Sequence, residues 1–357
     1  MQIEIGDFIL IPTANQTKAE WLEQRTYGLG GSDVPILFDL SSYNSPIELF
    51  YEKLGRTTPT DLSDNSSVHY GSSFEQIVLR DSSFYNLSGD KNNHIKNFSE
   101  GNRLRSHLAF PYMIINKKFP WLICNVDGLG FYDKSITEQD LVDMVNSGVM
   151  PIPDFIVEIK TMDQMVRDKY DAGINPAYPK QVATYCVPFL DLNPDIFGMI
   201  FTFYYDRVMT HFPVYLSEVE VNEIISKSKA FHTLIQQGKT IIEDGYKLRL
   251  TEEEIDFNLS QIHPTPTGVE SLGRFLSDRF LSKERTKLHN TILGSDNDVM
   301  MGLRTREIAK EMSLLKNEKN HIANSLKDKL IKANSKVIDC GNRGRISYGQ
   351  RLSINIR

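Results

Sequence analysis

Cysteine is scarce in this chain, and what there is lies scattered. Three cysteines among 357 residues, Cys124, Cys186 and Cys340, are far apart. They exclude a disulfide framework and a zinc knuckle, and they fit a reducing compartment. The eight histidines show no metal-site spacing. Long apolar runs are missing too: no uninterrupted stretch reaches the roughly 18 residues that a membrane span needs, so no membrane association is expected. There is no basic surplus, since 46 Asp and Glu outnumber 40 Lys and Arg for a formal charge of −6. Bulk charge therefore gives no support to a nucleic-acid partner. It excludes none, because acidic metal sites lower net charge and a basic track can be local. The opening MQIEIGDFILIPTANQ has no basic region followed by an apolar run, so no export signal is expected and the cytoplasm is the expected location.

What is present reads as an ordinary globular composition, 40% hydrophobic and 24% charged, long enough for one large domain with appendages or for two. The pattern predicts a helix over "TKAEWLEQRTYG", a glycine-rich turn, "LGGSD", and a second helix, "SPIELFYEKLG", with Ser45 as N-cap, Pro46 at its first position and Gly55 at its end. Gly71-Ser72-Ser73 opens another helix, "FEQIVLRDSSFY". "AFPYMIIN" and "WLICNVDGLGFY" read as two strands of a hairpin with Lys117-Lys118 near its turn. Residues 133–153 read as an insertion holding one short helix. A strand, "PDFIVEIKT", a helix, "PAYPKQVATYCVPFL", two further strands and a helix over 218–238 follow. Residues 304–334 carry one apolar stripe, Ile308, Met312, Leu315, Ile322 and Leu326, and the tail reads as a hairpin turning at Gly341 to Gly344. This order suggests an α/β chain with a mixed sheet.

The chemistry centres on "PDFIVEIKT". Side chains alternate along a strand, so Glu158 and Lys160 share a face. Asp127, in "NVDGLG", follows an apolar strand and precedes glycine, at the mouth of a sheet. Asp127 and Glu158 on adjacent strands would make a hard, oxygen-only site suited to Mg²⁺. Lys160 could then hold or polarise a water, the set that phosphodiester hydrolysis needs. The same tripeptide ends many surface strands, where both charges are merely solvated, and spacing does not decide between the two.

Read in order, residues 20–215 resemble the lambda exonuclease family, also described as YqaJ-type viral recombinases, within the PD-(D/E)XK nuclease superfamily. The resemblance is carried by an arginine helix leading to "GLGGSDV" (Arg25, Ser32, Asp33), then "SPIELFYEKLG", "YGSSFEQIV" (Glu75), "NVDGLG" (Asp127), "VEIK" (Glu158, Lys160) and "AYPKQVATY" (Tyr178, Gln181, Tyr185). It implies a restriction-endonuclease-like core with a mixed central sheet flanked by helices over residues 1–240, and a C-terminal helical extension ending in a β-hairpin over 241–357.

By the same resemblance Asp127, Glu158 and the carbonyl of Ile159 would bind Mg²⁺, with Mn²⁺ as a substitute. Glu75 would join them directly or through water. Lys160 and Gln181 would position the attacking water, and Tyr178 and Tyr185 would face the same groove. Arg25 and Ser32 would hold the 5′ phosphate of a DNA end; a guanidinium and a hydroxyl beside glycine-turn amides suit a phosphate. A serine that helps in some relatives is Asn125 here. The implied activity is 5′-to-3′ resection of duplex DNA ends. A single-strand annealing protein is the implied partner, and a ring-shaped homo-oligomer the implied assembly. A phage-type or defence-related endonuclease or nickase and a non-catalytic DNA-end-binding protein are the alternatives.

Overall fold

The computed structural model describes residues 2–14, 16–41, 44–57, 66–82, 106–162, 174–204, 209–265, 275–276, 311, 337–339, 344–348 and 352–356. The chain divides into two compact units, Met1–Thr286 and Lys287–Arg357.

In the first unit, β1 (Ile3–Ile5) and β2 (Phe8–Pro12) pair antiparallel and turn through Gly6, whose φ of 57° suits a residue without a side chain. α1 (Lys18–Arg25) starts at Thr17, which makes a reciprocal capping box with Glu20. β3 (Leu29–Gly30) leads into a 3-10 turn, Val34–Phe38, and then α2 (Pro46–Lys53), capped by Ser45 as its sequence predicts. There follow α3 (Ser66–Ser82), β4 (Ser106–Leu108), β5 (Tyr112–Asn116), β6 (Leu122–Ile123), β7 (Gly128–Phe131), α4 (Glu138–Asn146), β8 (Phe155–Met162) and α5 (Ala177–Cys186). β9 (Phe197–Tyr204), β10 (Met209–Val214), α6 (Glu218–Lys247) and α7 (Glu252–Ser260) come last.

A mixed five-stranded sheet in the order β10-β9-β8-β7-β4 forms the centre. β8 runs parallel to β9 and antiparallel to β7. A parallel neighbour needs a crossover, and α5 supplies it. Both faces of β8 are covered. Phe155, Val157 and Ile159 pack with Val78 and Leu79 of α3, while Ile156 packs with Val182, Tyr185 and Cys186 of α5. Each fully buried large apolar side chain contributes about 1.5–3 kcal/mol. The strand is anchored on both faces, and its two charged residues, Glu158 and Lys160, stand in its middle.

The structure redraws one expected feature. Residues 112–131 do not form a simple hairpin: β5 pairs with β2, β6 with β3, and β7 with β4 and β8. What remains of the hairpin is one bridge, Ile114 to Cys124, with both hydrogen bonds at 2.9 Å. Residues on β2 outcompeted the local partner because the β1–β2 ribbon offers a full five-residue register to β5. α3 also begins five residues earlier than Gly71. The stretch 133–153 holds one helix, α4, as expected. α6 runs on through position 240, where the sequence places a division.

The second unit contains β11 (Val337–Asp339), β12 (Gly344–Tyr348) and β13 (Leu352–Ile356), an antiparallel meander that extends the expected hairpin by one strand. Apart from Glu311, which is helical, the apolar stripe read over 304–334 and the turn at 341–343 lie outside the described residues. Among the described residues, no helix is long and apolar enough to cross a membrane.

Candidate active site

The charged middle of β8 meets α5. Pro179 is tolerated in α5 because it stands in the first turn, where a backbone N–H has no helical partner. One turn on, Gln181 and Tyr185 share a face, with the Gln181 amide nitrogen 3.3 Å from the Tyr185 hydroxyl. The same Gln181 nitrogen donates to Glu158 Oε1 at 2.7 Å. Lys160 Nζ also donates to Glu158 Oε1, and it lies 5.2 Å from the centre of the Tyr178 ring. Asp127 arrives from the neighbouring strand, since Gly128 pairs with Val157, and its Oδ2 accepts the Ile159 N–H at 2.7 Å.

Glu158 is buried, and its carboxyl is pushed well above the ordinary range, first by burial and then by the charge of Asp127; Lys160 opposes this. Glu75, from α3, is shifted the same way, by burial, by the charge and hydrogen bond of Asp127 and by Glu158. Burial works against the charge of Lys160, yet Glu158 and Asp127 hold it protonated, above an ordinary lysine. So Glu75, Asp127 and Glu158 are electrostatic neighbours around one ammonium. Acid is in excess there.

The donor chemistry fits a hard divalent cation, being oxygen-only and crowded with negative charge that one cation would relieve. Among the described residues no group of three or more such side chains is arranged to hold a metal. The oxygens that would turn to it are engaged, Glu158 Oε1 by Lys160 and Gln181 and Asp127 Oδ2 by the Ile159 amide.

The glycine turn forms the opposite wall. Arg25 Nη2 donates to Asp33 Oδ1 at 2.9 Å and lies 3.4 Å from Ser32 Oγ. Asp33 Oδ2 accepts the Gly30 N–H at 2.8 Å and pairs with Lys53 Nζ at 2.7 Å. Burial alone would raise Asp33, but the charges of Lys53 and Arg25 and these hydrogen bonds outweigh it and hold the carboxyl below its usual range. The two walls are fitted together at Gly31: a Cβ there would stand 2.3 Å from Cε1 of Tyr185.

Arg25, Ser32, Asp127, Glu158, Lys160, Gln181 and Tyr185 thus line one cleft of about 210 Å³. Tyr178 flanks Lys160, and Glu75 lines an adjoining cleft of about 480 Å³ that shares Trp21 and Asn125 with the first. Sequence reasoning passed over Trp21, whose ring centre is 4.9 Å from the Arg25 guanidinium carbon, and Lys53. Lys53 stands at the end of α2 beside the buried Ile47, Leu49, Phe50 and Tyr51, a burial that its place in the sequence does not announce.

Anionic and cationic walls facing across a small cleft define a site that could take a phosphate ester together with a cation. Residues 20–187, a little under half of the chain, match the family model of the YqaJ-like viral recombinase domain, and every site residue named above falls within that span. That span contains the motifs from "GLGGSDV" to "AYPKQVATY" on which the resemblance to YqaJ-type viral recombinases rests.

The uncharacterized protein YqaJ of Bacillus subtilis is 28% identical over 130 residues, 36% of this chain and 35% of that protein. An uncharacterized protein of Acanthamoeba polyphaga mimivirus is 38% identical over 76 residues, 21% of this chain and 14% of that protein. The matches therefore span only about a third and a seventh of these curated relatives. The crystal structure of an alkaline exonuclease (LHK-Exo) from Laribacter hongkongensis aligns with a TM-score of 0.43 and 14% identity over 65% of this chain and 100% of that one. Its complex with dAMP gives 0.44 and 13% over the same shares. That likeness is distant.

Proposed function

We propose that the chain is a Mg²⁺-dependent deoxyribonuclease that resects duplex DNA ends from 5′ to 3′ and leaves a 3′ single strand. The family match supports a nuclease of the recombinase type. The observation that carries the finer reading is that Arg25 and Ser32 line the same cleft as Asp127, Glu158, Lys160 and Gln181. A terminal phosphate gripped at one wall sets a scissile phosphodiester against the other.

Asp127, Glu158 and the Ile159 carbonyl would hold the cation, Mg²⁺ or Mn²⁺, with Glu75 joining them. When bound, it would neutralise phosphoryl oxygens and lower the pKa of water. Lys160 stays an ammonium and, with Gln181, orients the attacking water. Both already converge on one Glu158 oxygen, so a small turn of either side chain hands its proton donor to a water beside that carboxylate. Tyr185 fixes the Gln181 amide, and Tyr178 shields Lys160. A single-strand annealing protein would receive the exposed strand, and a ring-shaped homo-oligomer would retain the enzyme on its track. The site of action would be the cytoplasm, that of a bacterial host for a phage-encoded chain.

The test is digestion with Mg²⁺ of three duplexes: linear with 5′ phosphate, linear with 5′ hydroxyl, and closed circular. Lys160→Ala serves as the blank. Loss of the linear forms, led by the phosphorylated one and stopped by a chelator, is the expected result. Cutting of the circle would replace this reading with an endonuclease, for which Asn125 in the cleft in place of a phosphate-holding serine is the favouring observation. Binding without any cutting would leave a DNA-end-binding protein.

A further inference from the structure

Lys53 has no part in the function above, yet it is almost completely buried, and lysine is seldom so without a partner. Its ammonium makes two contacts that converge on one residue. It pairs with Asp33 Oδ2 at 2.7 Å, and Asp33 Oδ1 in turn accepts from the Arg25 guanidinium at 2.9 Å. It also donates to the backbone carbonyl of Arg25 itself at 2.7 Å. α2 therefore grips Arg25 at both ends, its backbone directly and its guanidinium through Asp33.

We infer that Lys53 and Asp33 are positioning residues that aim Arg25 at the terminal phosphate of a DNA end. The inference rests on the reading of Arg25 and Ser32 given above. A lone arginine at a helix end would sample many rotamers and lose most of its grip in ordering one of them. Here the Nη2 side is committed to Asp33, and the guanidinium is stacked near Trp21. A carboxylate this close to the guanidinium would also draw it away from a phosphate, and Lys53 prevents that by sharing the carboxylate's charge. Asp33 is then an anchor for Arg25 rather than a rival ligand. Arg25, Lys53 and Asp33 together carry two positive charges and one negative, and although Glu52 is a further acidic neighbour of all three, Arg25 lines the cleft where an anion would sit.

A stability clamp alone would predict loss of folding from Lys53→Met and nothing specific to the DNA terminus. Positioning predicts a change in which terminus is preferred. The experiment is binding of fluorescent duplexes with a 5′-phosphoryl or a 5′-hydroxyl end, measured by anisotropy in chelator so that no cleavage intervenes. The proteins compared are the full chain, Lys53→Arg, Lys53→Met and the double variant Asp33→Asn/Lys53→Met. The double variant leaves no unpaired buried charge of the pair and keeps the test open if Lys53→Met fails to fold.

The phosphoryl preference should fall about tenfold in both methionine variants, as expected for misplacing one charge-assisted contact, and Lys53→Arg should recover part of it. A folded double variant with undiminished preference would overturn the positioning role while leaving Arg25 as the phosphate ligand. Equal binding of both ends by the unmodified protein would overturn the phosphate pocket and this inference together.

Discussion

The two walls of the cleft treat buried carboxylates in opposite ways. On the β8 side, Glu158 is pushed up; on the glycine-turn side, Asp33 is held down. Both are buried, so burial does not make the difference. The count of neighbouring cations does. Asp33 has two, Arg25 and Lys53, whereas Glu75, Asp127 and Glu158 crowd around Lys160. One wall supplies its carboxylate with two cations of its own and holds a cationic group still; the other is left short of positive charge and suits a cation from solution.

Removing an acid from the crowded wall should have the largest effect. Asp127→Ala is expected to lower cleavage with Mg²⁺ at least about a hundredfold, while duplex binding is kept or tightened because negative charge facing phosphates is gone. Comparing digestion rates with anisotropy checks both halves, and near-normal cleavage would break the contrast drawn between the walls.

The glycine-turn wall should instead answer in stability. Asp33→Asn strands two cations and should destabilise the fold by about 3 kcal/mol at neutral pH. Because the folded carboxyl is held low, its contribution is present above the unfolded value near pH 4 and lost as pH falls through the lower folded value. Thermal melts of variant and parent should therefore converge in acid; a gap that persists there would refute the ion-pair account.

Where the walls touch, Gly31→Ala drives a methyl into the Tyr185 ring, and about 2 kcal/mol of overpacking is expected. Adding Tyr185→Leu should return much of the melting temperature, and failure of that rescue would point away from the contact. The smallest effect is that of Arg25→Ala. It should lose about tenfold in preference for 5′-phosphorylated over hydroxyl ends, read from paired KM values, with little change in the rate at saturation.

Much of the β8 wall was legible in the sequence. Alternation alone puts Glu158 and Lys160 on one face, a four-residue step puts Gln181 and Tyr185 together, and an apolar run ending in D-G puts Asp127 at a strand mouth. The glycine-turn wall was half legible. Arg25 and Ser32 could be named, but Lys53 reads as an ordinary basic residue in the last turn of a helix, where the dipole favours one. Its burial depends on where α2 packs, and that is not a local property. The pairing of β5 was hidden for a similar reason. "IEIGDFILIP" holds a glycine turn between two apolar runs, but nothing nearby says that Phe8 will lie opposite Asn116. Local turn signals bias a reading toward neighbours in sequence, whereas sheets are assembled by whichever register covers most apolar surface.

Arg56, just past α2, reaches across 200 positions of sequence to Asp256 at 2.7 Å and also bonds Glu252, both on α7. This matters to anyone who shortens the chain. A fragment ending near 240 would keep every residue assigned to the cleft, yet it would cut α6 before its end and take both acids from a guanidinium lying at the end of the helix that carries Lys53. Its inactivity would then be misread as missing chemistry when the fault lay in a loosened support. Expression boundaries are better set beyond Thr286, where the first compact unit closes.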